Sequence, residues 1–170
     1  WQILSLTFTN KAAKEMNNAK IMLQRAKAAI DLAANHEETK VEAKTWHYYS
    51  VIYLKIATYP EFAELDTEAL EKTADALRKI IELDESYFKQ NAGEISTYIQ
   101  SVTTNYFNQG AVAYESGDYV KAIESYINAY ETMAIIGQKD NEALMVAAQI
   151  AVMAGENNKA IELCTTLLND

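Results

Sequence analysis

Apolar side chains recur every three or four residues along most of the chain, which is the spacing that places them on one face of an α-helix. Clear examples are Met16, Ala19 and Leu23 near the start, and Ile95 and Ile99 further on. No stretch alternates apolar and polar residues as a half-buried strand would. The pattern therefore predicts an all-α protein built from antiparallel helices.

Polar stretches and turn residues divide the pattern into seven predicted helices. They cover about 10–34, 39–58, 66–81 and 92–116, with three more that start near 118, 141 and 157. Thr39 and Glu42 predict a capping box at the second helix, and Pro60 ends that helix at the residue before Tyr59. Thr9 or Asn10 is predicted to cap the first helix, so residues 1–9 would be an apolar lead-in outside it.

The length, composition and net charge of the chain exclude some classes of function. The chain has 170 residues, of which 49% are hydrophobic, enough to bury the core of a single domain. Its 15 Lys and Arg and 24 Asp and Glu give a net charge of −9. Proteins that follow a phosphate backbone need the opposite sign, so we predict no nucleic-acid partner. The sequence has no run of 18 apolar residues, so no membrane-spanning helix is predicted.

Candidate chemistry is sparse. His36 and His47 have no partner at metal-ligand spacing, and the sequence has no glycine-rich phosphate loop or nucleophile elbow. The single cysteine, Cys164, lies in IELCTTLL, where a small buried apolar residue is expected. We predict no catalytic residue, no metal and no cofactor, and hence a protein that is not an enzyme.

Two segments repeat one pattern at an offset of 38 residues (155 − 117). They are NYFNQGAVAYESGDYVKAIESYINAY (105–130) and LMVAAQIAVMAGENNKAIELCTTLL (144–168). Each has a small residue, then a turn glycine, then Ala-Ile-Glu; the positions are Gly110, Gly117 and Ala122, and Ala148, Gly155 and Ala160. Small side chains let two antiparallel helices cross closely, and the flanking Tyr106 and Tyr126 would fill the space beside the crossing.

The first of these segments resembles a tetratricopeptide repeat, with aromatic, small and glycine positions in that family's order. The resemblance covers 103–136 most clearly, then 141–168, then a degenerate copy at 43–84; residues 10–34 would be an orphan helix. It implies one domain of stacked helix pairs in a right-handed superhelix. In this family, the first helix of each pair lines a concave face that holds a segment of a partner protein.

The resemblance also implies the binding positions. They are Lys44, His47, Val51, Leu54 and Lys55 in the degenerate copy, Thr104, Phe107, Ala111, Tyr114 and Glu115 in the clear copy, and Glu142, Met145, Gln149, Val152 and Met153 in the last. The Lys and Asn that clamp a peptide's terminal carboxylate in the best-known variant are replaced, for example by Phe107 and Ala111. An apolar, aromatic groove with acidic surroundings implies a scaffold for a hydrophobic or basic segment. Phe107, Tyr114 and Met145 fit a helix–helix core equally well.

Two other functions stay open. Ile161, Leu167 or Leu168 on the last helix would be partly uncovered, which suits a self-assembling structural subunit and a homo-oligomer formed through that helix. The stretch ILSLTFTNKAAKEM resembles a single-stranded-DNA contact of superfamily 1 DNA helicases, but no phosphate-binding loop precedes it, so a helicase-derived nucleic-acid binder is the weakest alternative. The compartment is unassigned: cytoplasmic, or exported if residues 1–9 are a signal-peptide remnant.

Overall fold

The computed structural model describes the backbone of residues 2–169 and the side chains of residues 14–169. Within that part of the chain there are eight α-helices, one 3₁₀ helix and no strand, which confirms the all-α prediction. The α-helices are α1 Gln2–Asn35, α2 Ala43–Thr58, α3 Ala69–Leu83, α4 Glu85–Gln90, α5 Ala92–Glu115, α6 Tyr119–Ala134, α7 Asn141–Ala154 and α8 Asn157–Asn169; the 3₁₀ helix is Pro60–Leu65.

The helices form two compact units, where the sequence predicted a single domain. Unit 1 is residues 1–84 and contains α1, α2, the 3₁₀ helix and α3. Unit 2 is residues 85–170 and contains α4 to α8. Within each unit, helices that follow one another in the chain pack together, so α1 lies on α2 and α2 on α3, and α5 to α8 pack in sequence.

The starts of α6 and α7 in unit 2 lie where the sequence predicted them, whereas α4 was not among the seven predicted helices. Asp118 and Asp140 cap α6 and α7, and the carboxylate of each accepts a hydrogen bond from the backbone N–H three residues later, at 3.2 Å. Gly117 and Gly155 make the turns with φ of +81° and +78°, a conformation that costs glycine nothing and other residues a steric penalty. These signals act through the nearest backbone, which is why the sequence revealed them.

Two boundaries in unit 1 differ from the prediction. The backbone of α1 is helical from Gln2, so residues 2–9 are not a lead-in; the predicted caps Thr9 and Asn10 lie outside the described side chains. The capping box at α2 is wrong. Glu42 stands at the cap position without a side-chain hydrogen bond, and the Thr39 hydroxyl instead donates to the Ala33 carbonyl at 2.6 Å, which closes the turn after α1.

The interior of unit 1 is built where α2 packs on α3. Ser50 of α2 and Ala69, Thr73 and Ala76 of α3 are all buried, so small residues lie at this crossing as the degenerate copy predicted. The chain leaves α2 at Thr58, the residue before extended Tyr59 and Pro60, in agreement with the prediction from proline. The 3₁₀ helix thus stands between α2 and α3 where a glycine turn joins α5 to α6 and α7 to α8.

The interior of unit 2 depends on a close crossing of α5 and α6. A Cβ atom placed on Gly110 would lie 2.8 Å from Cε2 of Tyr126, well inside van der Waals contact. Ala122 and Ala129 are fully buried in the same interface. The predicted role of small residues at this crossing is therefore confirmed, and Tyr126 fills the space that Gly110 leaves.

One burial prediction is wrong. Cys164 is exposed on α8, whereas Ala160 and Leu163 of the same helix are buried. In the described chain α8 packs mainly against α7, so a single stripe of α8 is covered and the residue after Leu163 faces away. None of the described helices is long and apolar enough to cross a membrane.

Candidate binding faces

Four of the predicted binding positions of unit 2 lie on one surface of α5. Thr104, Ala111, Tyr114 and Glu115 are exposed, and their spacing of three, four and seven residues puts them on the same side of the helix. Tyr114 is 39% exposed, which leaves its ring accessible beside the ring of Tyr119 at 5.8 Å between centroids. The α5 surface therefore offers an aromatic group next to a carboxylate.

The matching positions of α7 continue that surface. Met145, Val152 and Met153 are between 51% and 62% exposed, and Gln149 is exposed between them. The hydroxyl of Tyr114 lies 3.9 Å from Sδ of Met153, so the two helices present their exposed positions side by side. We call the surface formed by 104, 111, 114, 115, 145, 149, 152 and 153 the α5–α7 face.

Phe107 belongs mainly to the interior. Its ring is half-buried and meets the Tyr126 ring edge-on, with 5.4 Å between centroids and 79° between planes. It packs against the apolar cluster that includes Leu144 and Ala148. Of the two interpretations that the sequence allowed, core packing describes Phe107, while Tyr114 and Met145 are exposed on the surface.

Charge distinguishes the α5–α7 face from an ordinary apolar patch. Residues 85–170 contain 4 Lys and Arg and 11 Asp and Glu, a balance of −7 out of the −9 of the whole chain. Glu115 and Glu142, on α5 and α7, are both exposed. An acidic border raises the encounter rate with cationic segments and opposes acidic ones.

The predicted positions on α2 separate into buried and exposed ones. His47 and Leu54 are only 6% and 8% exposed and belong to the interior, which sequence position alone did not reveal. Lys44 and Lys55 are exposed, and Val51 is half-buried. These last three side chains are accessible to a ligand on unit 1.

A polar network inside unit 1 was not predicted. Lys27 of α1 lies 3.0 Å from Asp31 and 3.3 Å from Asp66, and Lys72 of α3 lies 2.9 Å from the same Asp66 oxygen. The hydroxyl of Tyr53, a residue only 1% exposed, donates to Asp31 at 2.6 Å. The network joins α1, α2, α3 and the segment before α3, so it fixes their positions rather than binding a ligand.

The network shifts the titration of its members. Burial alone would raise the pKa of Asp66, but hydrogen bonds from Lys72, the backbone of Glu68 and Lys27 outweigh it and hold the pKa below its usual value. The hydrogen bond to Asp66 raises the pKa of Lys72. Burial, followed by the bond to Asp31, raises the pKa of the Tyr53 phenol. Each pKa shift favours the protonation state found in the network, which is an ionised Asp66, a protonated Lys72 and a neutral Tyr53.

Among the residues whose side chains are described, no group of three or more His, Cys, Asp or Glu is arranged to hold a metal ion. Comparison with protein-family models, curated proteins and solved structures finds no match for this chain. The likeness to a tetratricopeptide repeat rests on the quoted residues, and the superhelix that it implies stays a prediction.

Proposed function

We propose that this chain is a non-enzymatic interaction scaffold whose α5–α7 face binds an apolar segment of a partner protein that also carries Lys or Arg. The observation that carries the proposal is the contact between Tyr114 and Met153, which joins the exposed apolar positions of two successive helix pairs into one surface. The same positions are those that the resemblance implies for peptide binding.

The chemistry of the face supports this choice of ligand. Aromatic side chains contribute large contact areas at interfaces, and the flexible thioethers of Met145 and Met153 adapt to apolar groups of different shapes. Glu115 and Glu142 would pair with basic residues on either side of such a segment. An amphipathic helix or an extended strand with Lys beside Leu meets both requirements.

The test uses a helical probe peptide and methionine methyl signals. A peptide of about 16 residues, amidated at its C terminus, carries Leu at helical i, i+3, i+4 and i+7 spacing and Lys elsewhere. With ¹³C-methyl methionine, the Leu/Lys peptide is expected to shift the signals of Met145 and Met153 and to leave half-buried Met133 unchanged. The substitution of Ser for both Tyr114 and Val152 is expected to weaken binding about tenfold or more.

Val112→Ser is the matched control. Val112 is 66% exposed on the same helix, but lies about 100° around it from the centre of the α5 positions of the face. We expect Val112→Ser to leave peptide affinity unchanged, and all these variants to keep nearly the same melting temperature because the sites are exposed. Unchanged Met145 and Met153 signals at about 1 mM peptide would contradict the proposal.

Self-assembly is the second candidate function, favoured by two apolar side chains of α8. Ile161 and Leu168 are 65% and 87% exposed, and α8 is covered mainly on one side in the described chain. If light scattering over a dilution series shows a dimer that Ile161→Ser dissociates, the scaffold would be one subunit of a larger assembly. A monomer at every concentration rejects this second function.

A further inference from the structure

Unit 1 contains an apolar groove between α1, α2 and the 3₁₀ helix. Its volume is about 430 Å³, and its lining includes Ala19, Met22 and Leu23 of α1, Val51 and Lys55 of α2, and Phe62 of the 3₁₀ helix. Lys55 is the one charged residue among the lining side chains of the described chain. Leu23 also packs on the unit 1 core, so the floor of the groove is held in place by the fold.

The helix on one side of this groove is basic in an acidic protein. The sequence of α2, AKTWHYYSVIYLKIAT, contains two lysines and no Asp or Glu. Lys44, Tyr48, Val51 and Lys55 are spaced by four, three and four residues, so they share one side of the helix. At a rise of about 1.5 Å per residue, the two lysines are separated by roughly 16 Å along the helix axis.

The two lysines have no acidic partner. Neither Lys44 nor Lys55 forms an ion pair with any side chain in residues 14–169; the Lys44 ammonium lies only over the Tyr48 ring, at 5.9 Å. In contrast, Lys20 on α1 pairs with Glu64 of the 3₁₀ helix, so that charge is already neutralised. Lys55, which lines the groove, and Lys44, on the same side of α2, therefore carry uncompensated positive charge.

We propose that the α1–α2 groove binds an acidic amphipathic helix from a partner protein. Two packed helices with an apolar groove between them accept the apolar face of a third helix, with anchors at i, i+3, i+4 and i+7. Carboxylates about three turns apart on that helix would reach Lys44 and Lys55, since about 11 residues of helix cover the same 16 Å. A basic helix would bring its lysines against these two ammonium groups.

This site is separate from the α5–α7 face, and its charge preference is the reverse. The resemblance to the repeat family implied one ligand for all the predicted positions, whereas the charges on α2 select an acidic ligand for unit 1. Either proposal can fail alone, because methionines mark both sites: Met22 lines the groove, and Met145 and Met153 lie on the α5–α7 face.

The test adds a second peptide to the probe already described. It keeps the Leu positions and the amidated C terminus, and carries Glu in place of every Lys. The Leu/Glu peptide is expected to shift the methyl signal of Met22 and to leave Met145 and Met153 unchanged. Binding should weaken when salt is added, because the contacts of Lys44 and Lys55 are solvent-exposed.

Three variants locate the binding. The double variant Lys44→Met and Lys55→Met is expected to bind the Leu/Glu peptide about tenfold more weakly, because two exposed ion pairs contribute about that much to affinity. Ala19→Trp, at an exposed position of the lining, fills the groove and should abolish the Met22 shift without unfolding the protein. Lys89→Met removes the same charge from unit 2 and is expected to change nothing.

Four other results would contradict the binding of an acidic helix in the α1–α2 groove. An unchanged Met22 signal, or equal binding to the lysine double variant, would show that the groove does not select an acidic helix. A Met22 shift caused by the Leu/Lys peptide would reverse the charge preference. If Ala19→Trp converts a dimer of the unsubstituted protein into a monomer, the occupant of the groove is a second copy of this chain.

Discussion

Unit 1 and unit 2 are both built from packed helices, but their interiors are held together by different interactions. In unit 1, charged and polar groups link separate helices: Lys27 and Asp31 of α1 reach Asp66 and Tyr53. In unit 2, the buried hydroxyls of Thr103, Ser125 and Thr132 each donate to a backbone carbonyl of their own helix. Helix positions in unit 2 are set by shape, above all by the missing side chain at Gly110.

The difference has an energetic meaning. A partly buried ion pair contributes little over a well-packed apolar pair, yet removing one partner leaves the other charge without compensation. Within the described side chains every buried polar nitrogen and oxygen has a hydrogen-bond partner, so neither unit carries an unpaired buried group at the outset. We therefore expect unit 1 to be sensitive to charge and pH and unit 2 to be sensitive to volume.

The largest effect is expected from the charged interior. Asp66→Ala leaves Lys27 and Lys72 without their shared carboxylate, and should lower the free energy of unfolding by about 3 kcal/mol. Tryptophan fluorescence during chemical denaturation measures this, since both tryptophans of the sequence lie in residues 1–84. Asp75→Ala, which removes an exposed partner of Arg78, is the control and should cost less than about 1 kcal/mol. Similar decreases in unfolding free energy for Asp66→Ala and Asp75→Ala would show that the network around Asp66 stabilises the protein no more than an exposed ion pair does.

A smaller effect is expected from the volume-sensitive interior. Gly110→Ala places a methyl group against the buried Tyr126 ring and should destabilise the protein by about 2 kcal/mol. Gly93 lies in the same helix, and a methyl group added there would meet no atom within 4 Å. Gly93→Ala should therefore stabilise the protein by up to about 1 kcal/mol through helix propensity alone. In thermal denaturation, Gly110→Ala is therefore expected to lower the melting temperature and Gly93→Ala to raise it. If both substitutions raised it, the close crossing of α5 and α6 would be disproved.

The smallest effect is expected from pH, and it again concerns unit 1. The pKa of Asp66 is lowered in the folded protein, so its contribution to stability is complete above the ordinary value of 3.8 and is lost as the pH falls through the folded pKa. The difference in unfolding free energy between the unsubstituted protein and Asp66→Asn should thus be constant from neutral pH to about 4 and shrink below it. Denaturation followed by tryptophan fluorescence at several pH values measures this difference. A difference that stays constant to about pH 2 would contradict the assigned network.

High pH is expected to destabilise both units, so it does not distinguish unit 1 from unit 2. The pKa values of Lys72 in unit 1 and of Tyr126 in unit 2 are both raised, the first by its hydrogen bond to Asp66 and the second by burial. Stability that depends on a raised pKa is complete below the unfolded value and is lost as the pH rises through the folded one. Both units are therefore expected to lose stability at high pH, which leaves acid as the distinguishing condition.

Features set by neighbouring residues were predictable from the sequence. Pro60, Asp118, Asp140 and Gly155 each act on the backbone within a few positions, and the helix ends they predict are present. The small residue at Gly110 was also informative, because close helix crossings need one. Local competition explains the error at Thr39: its hydroxyl was predicted to accept a hydrogen bond from the backbone N–H of Glu42, but it donates to the Ala33 carbonyl of the preceding helix instead.

Features set by distant residues were not predictable. Lys27 and Lys72 look like ordinary solvated charges in the sequence, and only the fold brings both to Asp66. The burial of His47 likewise depends on the packing of its neighbours. For the candidate site, the family resemblance indicated the positions around Tyr114, but the burial of Phe107 and the contact with Met153 follow from how the helices of unit 2 pack.

The exposed position of Cys164 has a practical consequence. It is the only cysteine in the sequence, so a maleimide dye or spin label attaches at one place without any substitution elsewhere. That label would report from α8 of unit 2, while the tryptophans report from residues 1–84. With a dye at Cys164, both halves of the chain can thus be followed optically in a single sample.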